Sequence, residues 1–525
     1  MGVIDLARLN VRDFFDEARA ASPEAPFVIF TTDDRAYSFR EAGGFIDRAA
    51  AAWHELGVRH GDRVAFMLGN TPEFLWAWLG LARIGGVLVA INTGFREAEA
   101  GYLVRDSGAR IALADDEFAG MLAPAGRPVL TPAEFGALAA RSGLDPAPAV
   151  DLAGDDLISL IYTSGTTGDP KGVMQTHRNF VLTGQAYIDW MRMEPGERIY
   201  ACLPLFHINS QAYSTMAAIA ARGALVLAPR FSASRFWPDV RRHRVSVFNF
   251  IGAMAMILTK SQASPDDADN HVRIAYGVPA LAVEVVDEIE ARFGLRCISG
   301  FGMSETTFGL LEPLDGPRHP GTMGLPRHHP DPSVPPTEAK IVDESGAEVL
   351  RGTRGELLLR NAAMMSGYFG LAEKTAETLV EGWLHTGDSA YQDDDGFFFF
   401  VDRMKDIVRR RGENVSSLEV ERVIARHPSI AEAAVIGVPA ELSDEELLVF
   451  VVPRDGVDAA PLSAGDVFAW AAEHLAPFKV PRYLRFADAL PKTATAKVQK
   501  ERLRAMDADD PAGRIVREPD RRDER

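Results

Sequence analysis

The stretch Tyr162-Thr-Ser-Gly-Thr-Thr-Gly-Asp-Pro-Lys-Gly172 directly follows the apolar run Leu157–Ile161. Its glycines let backbone N–H groups approach anionic oxygens, its hydroxyls add hydrogen-bond donors, and Lys171 supplies a positive charge. The pattern therefore predicts a phosphate-binding loop behind a buried strand. It is not the Walker pattern, because Gly165 and Gly168 are too close together and no Gly-Lys-Ser/Thr ending follows. A polar surface turn is the alternative, but a turn needs fewer glycines and hydroxyls.

The composition is that of a large, acidic globular protein. The chain has 525 residues, of which 47% are hydrophobic and 25% charged, and its formal net charge is −18. Several domains are expected at this length, and the negative charge argues against nucleic acid or an anionic membrane as the main partner. Cys202 and Cys297 lie in apolar runs and are expected in the core. No secretory signal is recognisable, so a cytoplasmic location is expected.

Short apolar runs alternate with amphipathic segments of helical length over the first two thirds of the chain. Examples are Arg63–Leu68 and Val245–Phe250 as strands, and Phe39–Leu56 as a helix. This alternation predicts an α/β protein with largely parallel sheets. The most membrane-like segment, Phe74–Ile91, contains Arg83 and two glycines, and so predicts a buried helix, a turn and a strand rather than a membrane span.

The pattern changes twice towards the C-terminus. Close-spaced strands separated by turns predict a small β-rich subdomain from about residue 340 to 401, and a compact α+β unit follows from 403 to 506. We therefore expect an N-terminal domain over residues 1–401 and a smaller C-terminal domain, with the boundary near Asp402. The charged segment 507–525 contains prolines and no aromatic residue, which predicts disorder.

Several further segments combine strands with chemically active side chains. They are Leu203-Pro-Leu-Phe-His207, Gly277-Val-Pro279, Ser299-Gly-Phe-Gly-Met-Ser-Glu305, Trp383-Leu-His-Thr-Gly-Asp388, Phe400-Val-Asp-Arg-Met-Lys-Asp406 and Pro491-Lys-Thr-Ala-Thr-Ala-Lys497. Together with the loop at 162–172, they resemble the motifs of the adenylate-forming superfamily of acyl-CoA synthetases, luciferases and peptide-synthetase adenylation domains. Over residues 155–500 the sequences of these motifs are most similar to those of the crotonobetaine/carnitine-CoA ligase-like group.

The resemblance implies a two-step reaction with ATP, Mg²⁺ and coenzyme A. A carboxylate attacks the α-phosphate of ATP to form an acyl-adenylate and pyrophosphate, and the CoA thiol then displaces AMP. The first step makes a good leaving group, which a free carboxylate lacks, and a thiol is a strong enough nucleophile for the second.

The resemblance also assigns roles to individual residues. Glu305 would bind Mg²⁺, since a hard cation prefers carboxylate oxygens. His207 would border the route of the acid, Lys497 would stabilise charge at the α-phosphate, and Thr166 would assist there. The implied nucleotide-binding and CoA-binding residues are Thr163, Ser164, Gly165, Thr167, Gly168, Lys171, Gly277, Val278, Pro279, Gly300, Phe301, Gly302, Met303, Ser304, Asp388, Arg403, Gly412 and Glu413. Phe301, which replaces the usual Tyr, and the segment Gly277-Val-Pro279 would contact the adenine, and Ser304 replaces the usual Thr. Asp388 and Arg403 would hold the ribose, and Asp402 would be the hinge about which the C-terminal domain moves.

One departure from the family pattern concerns the first step. The residue before Lys497 is usually Gly and here is Ala496. If this position needs a left-handed backbone, Ala costs about 1–2 kcal/mol in the adenylating pose. The alternative hypothesis is therefore a ligase that adenylates poorly and mainly converts supplied acyl-AMP to the thioester. A non-catalytic acyl-nucleotide-binding protein and a luciferase-type oxygenase are further alternatives.

The acid itself is suggested by the segment 249–258. Small residues leave space there and methionines adapt to irregular shapes, while no cation or carboxylate of the segment would pair with a second charged group. A bulky, mostly apolar monocarboxylic acid is therefore expected, although an ordinary core helix is an alternative reading of the segment. The candidate pocket residues are His207, Asn209, Phe250, Gly252, Ala253 and Gly302. The sequence leaves a homodimer open.

Overall fold

A computed structural model describes residues 4–163, 170–278, 280–316, 319–410, 413–439, 445–454, 462–493 and 497–517, without the side chains at 405, 409, 413 and 414. The chain divides into two compact units. The first comprises Met1–Ala339, Leu358–His385 and Asp395–Phe398, and the second comprises Lys340–Leu357, Thr386–Asp394 and Phe399–Arg525.

The helices are α1 (Val11–Ala21), α2 (Phe39–Glu55), α3 (Pro72–Arg83), α4 (Glu97–Asp106), α5 (Asp116–Leu122), α6 (Pro132–Ala139), α7 (His177–Trp190), α8 (Met216–Ala220), α9 (Ala233–Arg242), α10 (Gly252–Lys260), α11 (Val283–Phe293), α12 (Ala372–Thr378), α13 (Ser417–Ile424), α14 (Ala464–His474) and α15 (Lys500–Asp509). A π-helix, Asn209–Thr215, precedes α8. Within the described residues, none of the helices combines the length and apolar character needed to cross a bilayer.

The strands of the first three sheets are β1 (Pro26–Phe30), β2 (Arg35–Ser38), β3 (Arg63–Met67), β4 (Val87–Ala90), β5 (Ile111–Ala114), β6 (Val129–Leu130), β7 (Leu157–Thr163), β8 (Lys171–Thr176), β9 (Arg198–Ala201), β10 (Ala224–Leu227), β11 (Val247–Ile251), β12 (Ile274–Val278), β13 (Arg296–Met303), β14 (Thr306–Leu311), β15 (Leu325–Pro326), β16 (Glu338–Val342), β17 (Gly355–Arg360), β18 (Leu379–Val380), β19 (Trp383–Gln392) and β20 (Phe398–Arg403). The remaining strands are β21 (Ile407–Arg410), β22 (Glu413–Ser416), β23 (Ile430–Pro439), β24 (Glu445–Pro453), β25 (Tyr483–Phe486) and β26 (Ile515–Val516).

Two large sheets build the first unit. One has the order β6-β5-β3-β4-β7-β8 and the other the order β15-β14-β13-β12-β11-β9-β10-β1-β2. Their inner strands are parallel, whereas β8, β2, β14 and β15 pair antiparallel at the ends. The expectation of an α/β protein with largely parallel sheets is confirmed. It could be made from sequence because strands covered by helices on both faces are apolar throughout.

Local sequence explains how the helices begin and how they pack. Ser38 and Glu41 form a capping box at the start of α2, and the Thr71 side chain caps α3. The two helices approach closely at Gly80, where a Cβ atom would lie 2.7 Å from Ala49 Cβ. A side chain at Gly80 would therefore force the helices apart. Segment 74–91 forms the predicted buried helix, turn and strand, and both cysteines are buried as expected.

The second unit is smaller and contains separate sheets. Strands β23-β24-β25-β26 form one sheet, and β21 and β22 form a hairpin. A further five-stranded sheet, whose residues are not confined to the second unit, has the order β16-β17-β19-β18, with β20 beside β19. The expectation of disorder from Asp507 onwards differs from the structure, in which Asp507 pairs with Arg514 and β26 pairs with β25. Composition misses the second contact because β25 is distant from β26 in sequence. Residues 518–525 of the same segment lie outside the described residues.

Candidate active site

Glu305 lies just beyond β13, at the carboxyl end of a parallel strand. Its Oε1 accepts a 2.9 Å hydrogen bond from the Tyr368 hydroxyl, and its backbone carbonyl accepts a 2.8 Å hydrogen bond from the Met365 N–H. Burial, followed by the charge of Glu305, raises the pKa of Tyr368, so that the phenol stays protonated and donates to the carboxylate. The predicted metal ligand is thus held by a tyrosine that no sequence motif pointed out.

Lys171 faces the same tyrosine from β8. Its Nζ lies 5.3 Å from the centroid of the Tyr368 ring. Burial and the nearby Lys374 lower the pKa of Lys171, whereas Glu305 opposes that shift. Lys171, Tyr368 and Glu305 therefore form a cluster, which we call the Glu305 cluster, at the end of the strands that flank the predicted phosphate loop.

Side-chain amides connect the two large sheets beside this cluster. Gln175 Nε2 donates a 2.6 Å hydrogen bond to the carbonyl of Ser304, and Asn179 Nδ2 donates to Gln175 Oε1 at 2.9 Å and to the Met364 carbonyl at 2.8 Å. Gln175 and Asn179 are both completely buried. They hold the residues around 304 and 364 in a defined position relative to β8.

The predicted adenine-contacting residues share one sheet edge. Gly277 pairs with Ser299 in the parallel register of β12 and β13. At Gly300 a Cβ would lie 2.7 Å from the Leu310 carbonyl oxygen, so this position needs glycine. Val278 and the adjacent residues Phe301, Gly302 and Met303 are half-buried. The structure therefore brings the two predicted motifs together at an accessible edge.

His207 precedes the π-helix Asn209–Thr215. π-Helices are rare and are frequent at functional sites. His207 Nε2 is buried and has no hydrogen-bond partner within the described residues. Burial lowers the pKa of His207 to about 4, so the imidazole is neutral near pH 7. Inside the π-helix region, Asn249 Nδ2 donates to Asn209 Oδ1 and to Ser214 Oγ, both at 3.1 Å.

Two of the predicted pocket residues are placed differently from the expectation. Phe250 is 3% exposed and belongs to a core cluster, and a Cβ at Gly277 would lie only 2.2 Å from its ring. The Phe250 ring therefore occupies the space that a side chain at Gly277 would need. Helix α10 begins at Gly252 with Ala253 exposed, while Met254 and Leu258 are buried. The segment 249–258 is therefore largely an ordinary amphipathic element.

The second unit brings together two residues that the resemblance assigned to the ribose. Arg403 Nε lies 3.5 Å from Asp388 Oδ1. Next to Arg403, the buried carboxylate of Asp402 accepts hydrogen bonds from Ser417 Oγ at 2.7 Å and from the Leu418 N–H at 3.1 Å. The predicted hinge residue is thus attached to the start of α13.

Lys497 is exposed and is hydrogen-bonded to Thr493. Its carbonyl accepts a 2.7 Å hydrogen bond from the Thr493 N–H, and its own N–H donates to Thr493 Oγ1 at 3.1 Å. Thr163 ends β7. The predicted residues outside the described part of the chain are Ser164, Gly165, Thr166, Thr167, Gly168, Pro279, Gly412, the side chain of Glu413, and Ala496.

Comparison with known proteins gives the class of this fold and site. Residues 15–369 match the family described as AMP-binding enzyme, and residues 419–497 match the AMP-binding enzyme C-terminal domain. The chain belongs to the AMP-binding enzyme family.

Three similar proteins make the relationship more specific. The chain is 33% identical to the crotonobetaine/carnitine–CoA ligase of Proteus mirabilis, over 95% of this chain and 99% of the relative. ATP-bound MatB from Rhodopseudomonas palustris has a TM-score of 0.85 at 28% identity, covering 95% of this chain and 99% of that one. The anthranilate CoA ligase AuaEII in complex with anthranoyl-AMP has a TM-score of 0.84 at 25% identity, covering 98% and 100%.

Proposed function

We propose that this enzyme, an ATP-dependent, AMP-forming acid–CoA ligase, acts on a bulky, mostly apolar carboxylic acid. A carboxylate oxygen of the acid attacks the α-phosphorus of ATP, and the bond to the pyrophosphate oxygen breaks. The CoA sulfur then attacks the acyl carbon, the bond from that carbon to the AMP oxygen breaks, and the thiol proton passes to solvent. The observation that carries the proposal is the Glu305 cluster, which combines a cation and a held carboxylate beside the predicted phosphate loop.

The residues of this cluster have complementary tasks in the first step. Lys171 attracts the phosphate oxygens of the nucleotide as a positive charge at the end of a strand. The Glu305 carboxylate suits Mg²⁺ because its oxygens are hard, anionic donors, and the ion would neutralise phosphate charge when bound. Tyr368 holds Glu305 Oε1 in place, which keeps the carboxylate oriented before the nucleotide arrives.

Lys497 is the proposed source of positive charge at the α-phosphate during adenylation. Its exposure and the two backbone hydrogen bonds that hold it to Thr493 support a lysine that can meet a substrate. Preorganised charge at the phosphate stabilises the transition state more than the ground state. In the proposed cycle Lys497 acts only in the first step.

Asp402 is the proposed hinge between the two steps. Its carboxylate joins the end of β20 to the start of α13 through Ser416, Ser417 and Leu418. A residue anchored in this way can absorb a backbone rotation while the part of the chain that follows it moves as a rigid body. The Asp388–Arg403 pair next to it is proposed to contact the ribose hydroxyls.

His207 is proposed to border the route of the acid. Because burial lowers its pKa to about 4, the imidazole is uncharged near pH 7 and does not form an ion pair with the reacting carboxylate. The anthranilate CoA ligase, a similar protein whose structure holds anthranoyl-AMP, supports an aromatic acid.

The test is mass spectrometry of acyl-AMP and acyl-CoA. The enzyme is incubated with CoA and Mg-ATP plus a panel of aromatic and aliphatic acids, and in parallel with the matching synthetic acyl-adenylates. Thioester from free acid and ATP supports the complete ligase and identifies the acid. Thioester only from the adenylates supports the alternative in which Ala496 impairs adenylation. No thioester under either condition contradicts the proposal.

A further inference from the structure

Arg327 is a buried cation that the sequence motifs did not single out. It follows β15 and is 2% exposed. Its guanidinium carbon lies 4.9 Å from the Trp190 ring centroid, 5.2 Å from Tyr276 and 5.7 Å from Tyr213. Three aromatic faces thus surround one positive charge, an arrangement that attracts a cation through the ring quadrupoles.

The hydrogen bonds of this guanidinium are incomplete. Nη2 donates to the Tyr276 hydroxyl and to the Phe301 carbonyl, both at 2.8 Å. Nε and Nη1 are buried without a hydrogen-bond partner, and no carboxylate within the described residues forms an ion pair with Arg327. Burying a charge without a counter-charge and with unused donors is unfavourable, so such a group calls for an explanation.

The position of Arg327 supplies that explanation. A Cβ at Gly302 would lie 3.1 Å from Tyr213 Oη and 3.4 Å from Arg327 Nη2, so the guanidinium lies directly behind the Gly302 backbone. Gly302 is one of the proposed acid-contacting residues and is half-buried. Tyr213 belongs to the π-helix that follows His207. The cation therefore lies beside a residue that is proposed to contact the acid.

We propose that Arg327 selects an acid that carries, at the end remote from its reacting carboxylate, an oxygen that accepts a hydrogen bond from the guanidinium. This inference rests on the proposed function and makes its substrate class more specific. A carboxylate, a hydroxyl and a keto group share the required chemistry, with the carboxylate the best match for an unpaired positive charge. The expectation of no cation facing the acid rested on segment 249–258 alone and did not include Arg327.

The test compares matched pairs of acids. Each pair has one aromatic acid with a distal hydroxyl, keto group or carboxylate and one analogue in which hydrogen or methyl replaces that group, for example 3-carboxybenzoate and benzoate. The ratio of kcat/KM within a pair is measured for thioester formation. We expect the wild type to favour the oxygen-bearing member by about tenfold or more, the usual scale for a hydrogen bond to a charged donor.

Variants separate recognition from structure. Arg327→Met should reduce the ratio to about one, and Arg327→Lys should retain part of it. Arg292→Met is the matched control, because it removes a guanidinium that already has Asp267 as partner 2.7 Å away, and it should leave the ratio unchanged. The wild-type ratio needs no variant and decides the question if Arg327→Met does not fold.

The outcomes are distinguishable. If the analogues that lack the distal oxygen are turned over as efficiently as their partners or more so, the role of Arg327 is overturned and the ligase function stands. The same conclusion follows if Arg327→Met does not change the kcat/KM ratio. The absence of thioester from every acid and every adenylate contradicts the proposed function itself. A preference restricted to carboxylates identifies a dicarboxylic acid, and one that includes hydroxyls identifies a neutral acceptor.

Discussion

The Tyr368 hydroxyl donates a 2.9 Å hydrogen bond to Glu305 Oε1, and the two residues are 63 positions apart in the chain. Tyr368 adjoins β8 through a bridge between Val173 and Tyr368, whereas Glu305 follows β13 in the other sheet. The bond therefore links the two large sheets. In open α/β sheets the carboxyl ends of the strands are the usual place for a ligand.

Tyr368→Phe is expected to weaken the response to Mg²⁺. Without the hydroxyl, Glu305 loses the group that orients its carboxylate, and such a loss typically costs tenfold or more in metal affinity. We expect the Mg²⁺ concentration for half-maximal AMP formation to rise by about tenfold. Tyr162→Phe is the matched control, because it removes another tyrosine–carboxylate hydrogen bond, to Asp106 at 2.6 Å. Equal Mg²⁺ responses in the two variants would contradict the role of Tyr368.

Lys497→Gln is expected to separate the two half-reactions. The substitution removes the charge proposed for the α-phosphate, and we expect adenylation to slow by about 100-fold or more. Thioester formation from synthetic acyl-AMP should change by less than about threefold. The control is Lys492→Gln, which breaks the 2.5 Å ion pair between Lys492 and Glu432 and should leave both rates nearly unchanged. A parallel loss of both half-reactions in Lys497→Gln would exclude a specific role in adenylation.

Ala496→Gly tests the departure from the family pattern directly. If residue 496 adopts a left-handed backbone in the adenylating pose, glycine removes a cost of about 1–2 kcal/mol. Pyrophosphate release should then accelerate by about five- to thirtyfold, with thioester formation from acyl-AMP unchanged. An unchanged rate of pyrophosphate release would mean that Ala496 does not limit the first step.

Asp402 can be tested with a pair of substitutions that differ only in backbone freedom. Asp402→Ala removes the acceptor of the Ser416, Ser417 and Leu418 hydrogen bonds and should lower the free energy of unfolding by about 2 kcal/mol. Asp402→Pro removes the same acceptor and also restricts φ. We expect only the proline variant to slow one half-reaction selectively. Similar rate profiles for the two variants would argue against a hinge.

His177 is expected to make the protein less stable in mild acid. Burial lowers its pKa to about 4 in the folded state, while the unfolded value is near 6.5, and its Nδ1 accepts a 3.2 Å hydrogen bond from the Val11 N–H. Its contribution is therefore complete above pH 6.5 and is lost as the pH falls towards 4. Between pH 7.5 and 5.0 this amounts to about 2 kcal/mol.

The measurement is urea unfolding at these two pH values. His177→Asn keeps an acceptor for the Val11 N–H and does not titrate, so it should lose about 2 kcal/mol less than the wild type on acidification. His271→Asn, a change at an exposed histidine, should behave like the wild type. If His177→Asn loses as much free energy of unfolding on acidification as the wild type, other groups cause the acid sensitivity.

Local sequence was sufficient wherever structure depends on local chemistry. The run Leu157–Ile161 lies inside β7, and Phe39–Leu56 is a helix to within one residue. Hydrophobic periodicity and capping residues act over a few positions, and a single sequence displays both. The motif at 299–305 likewise pointed to Glu305 because its chemistry lies in consecutive residues.

Contacts between distant segments could not be read in this way. Tyr368 and Arg327 carry no motif, and Phe250 was expected in the acid pocket but packs in the core against Gly277. Each of these placements depends on how sheets and loops from different parts of the chain meet. Residue patterns and motifs were enough to establish the α/β class, the enzyme family and the order of the motifs. The side chains that hold Glu305 and the position of the buried Arg327 guanidinium became known from the folded chain, because these depend on packing across the sheets and not on residue spacing.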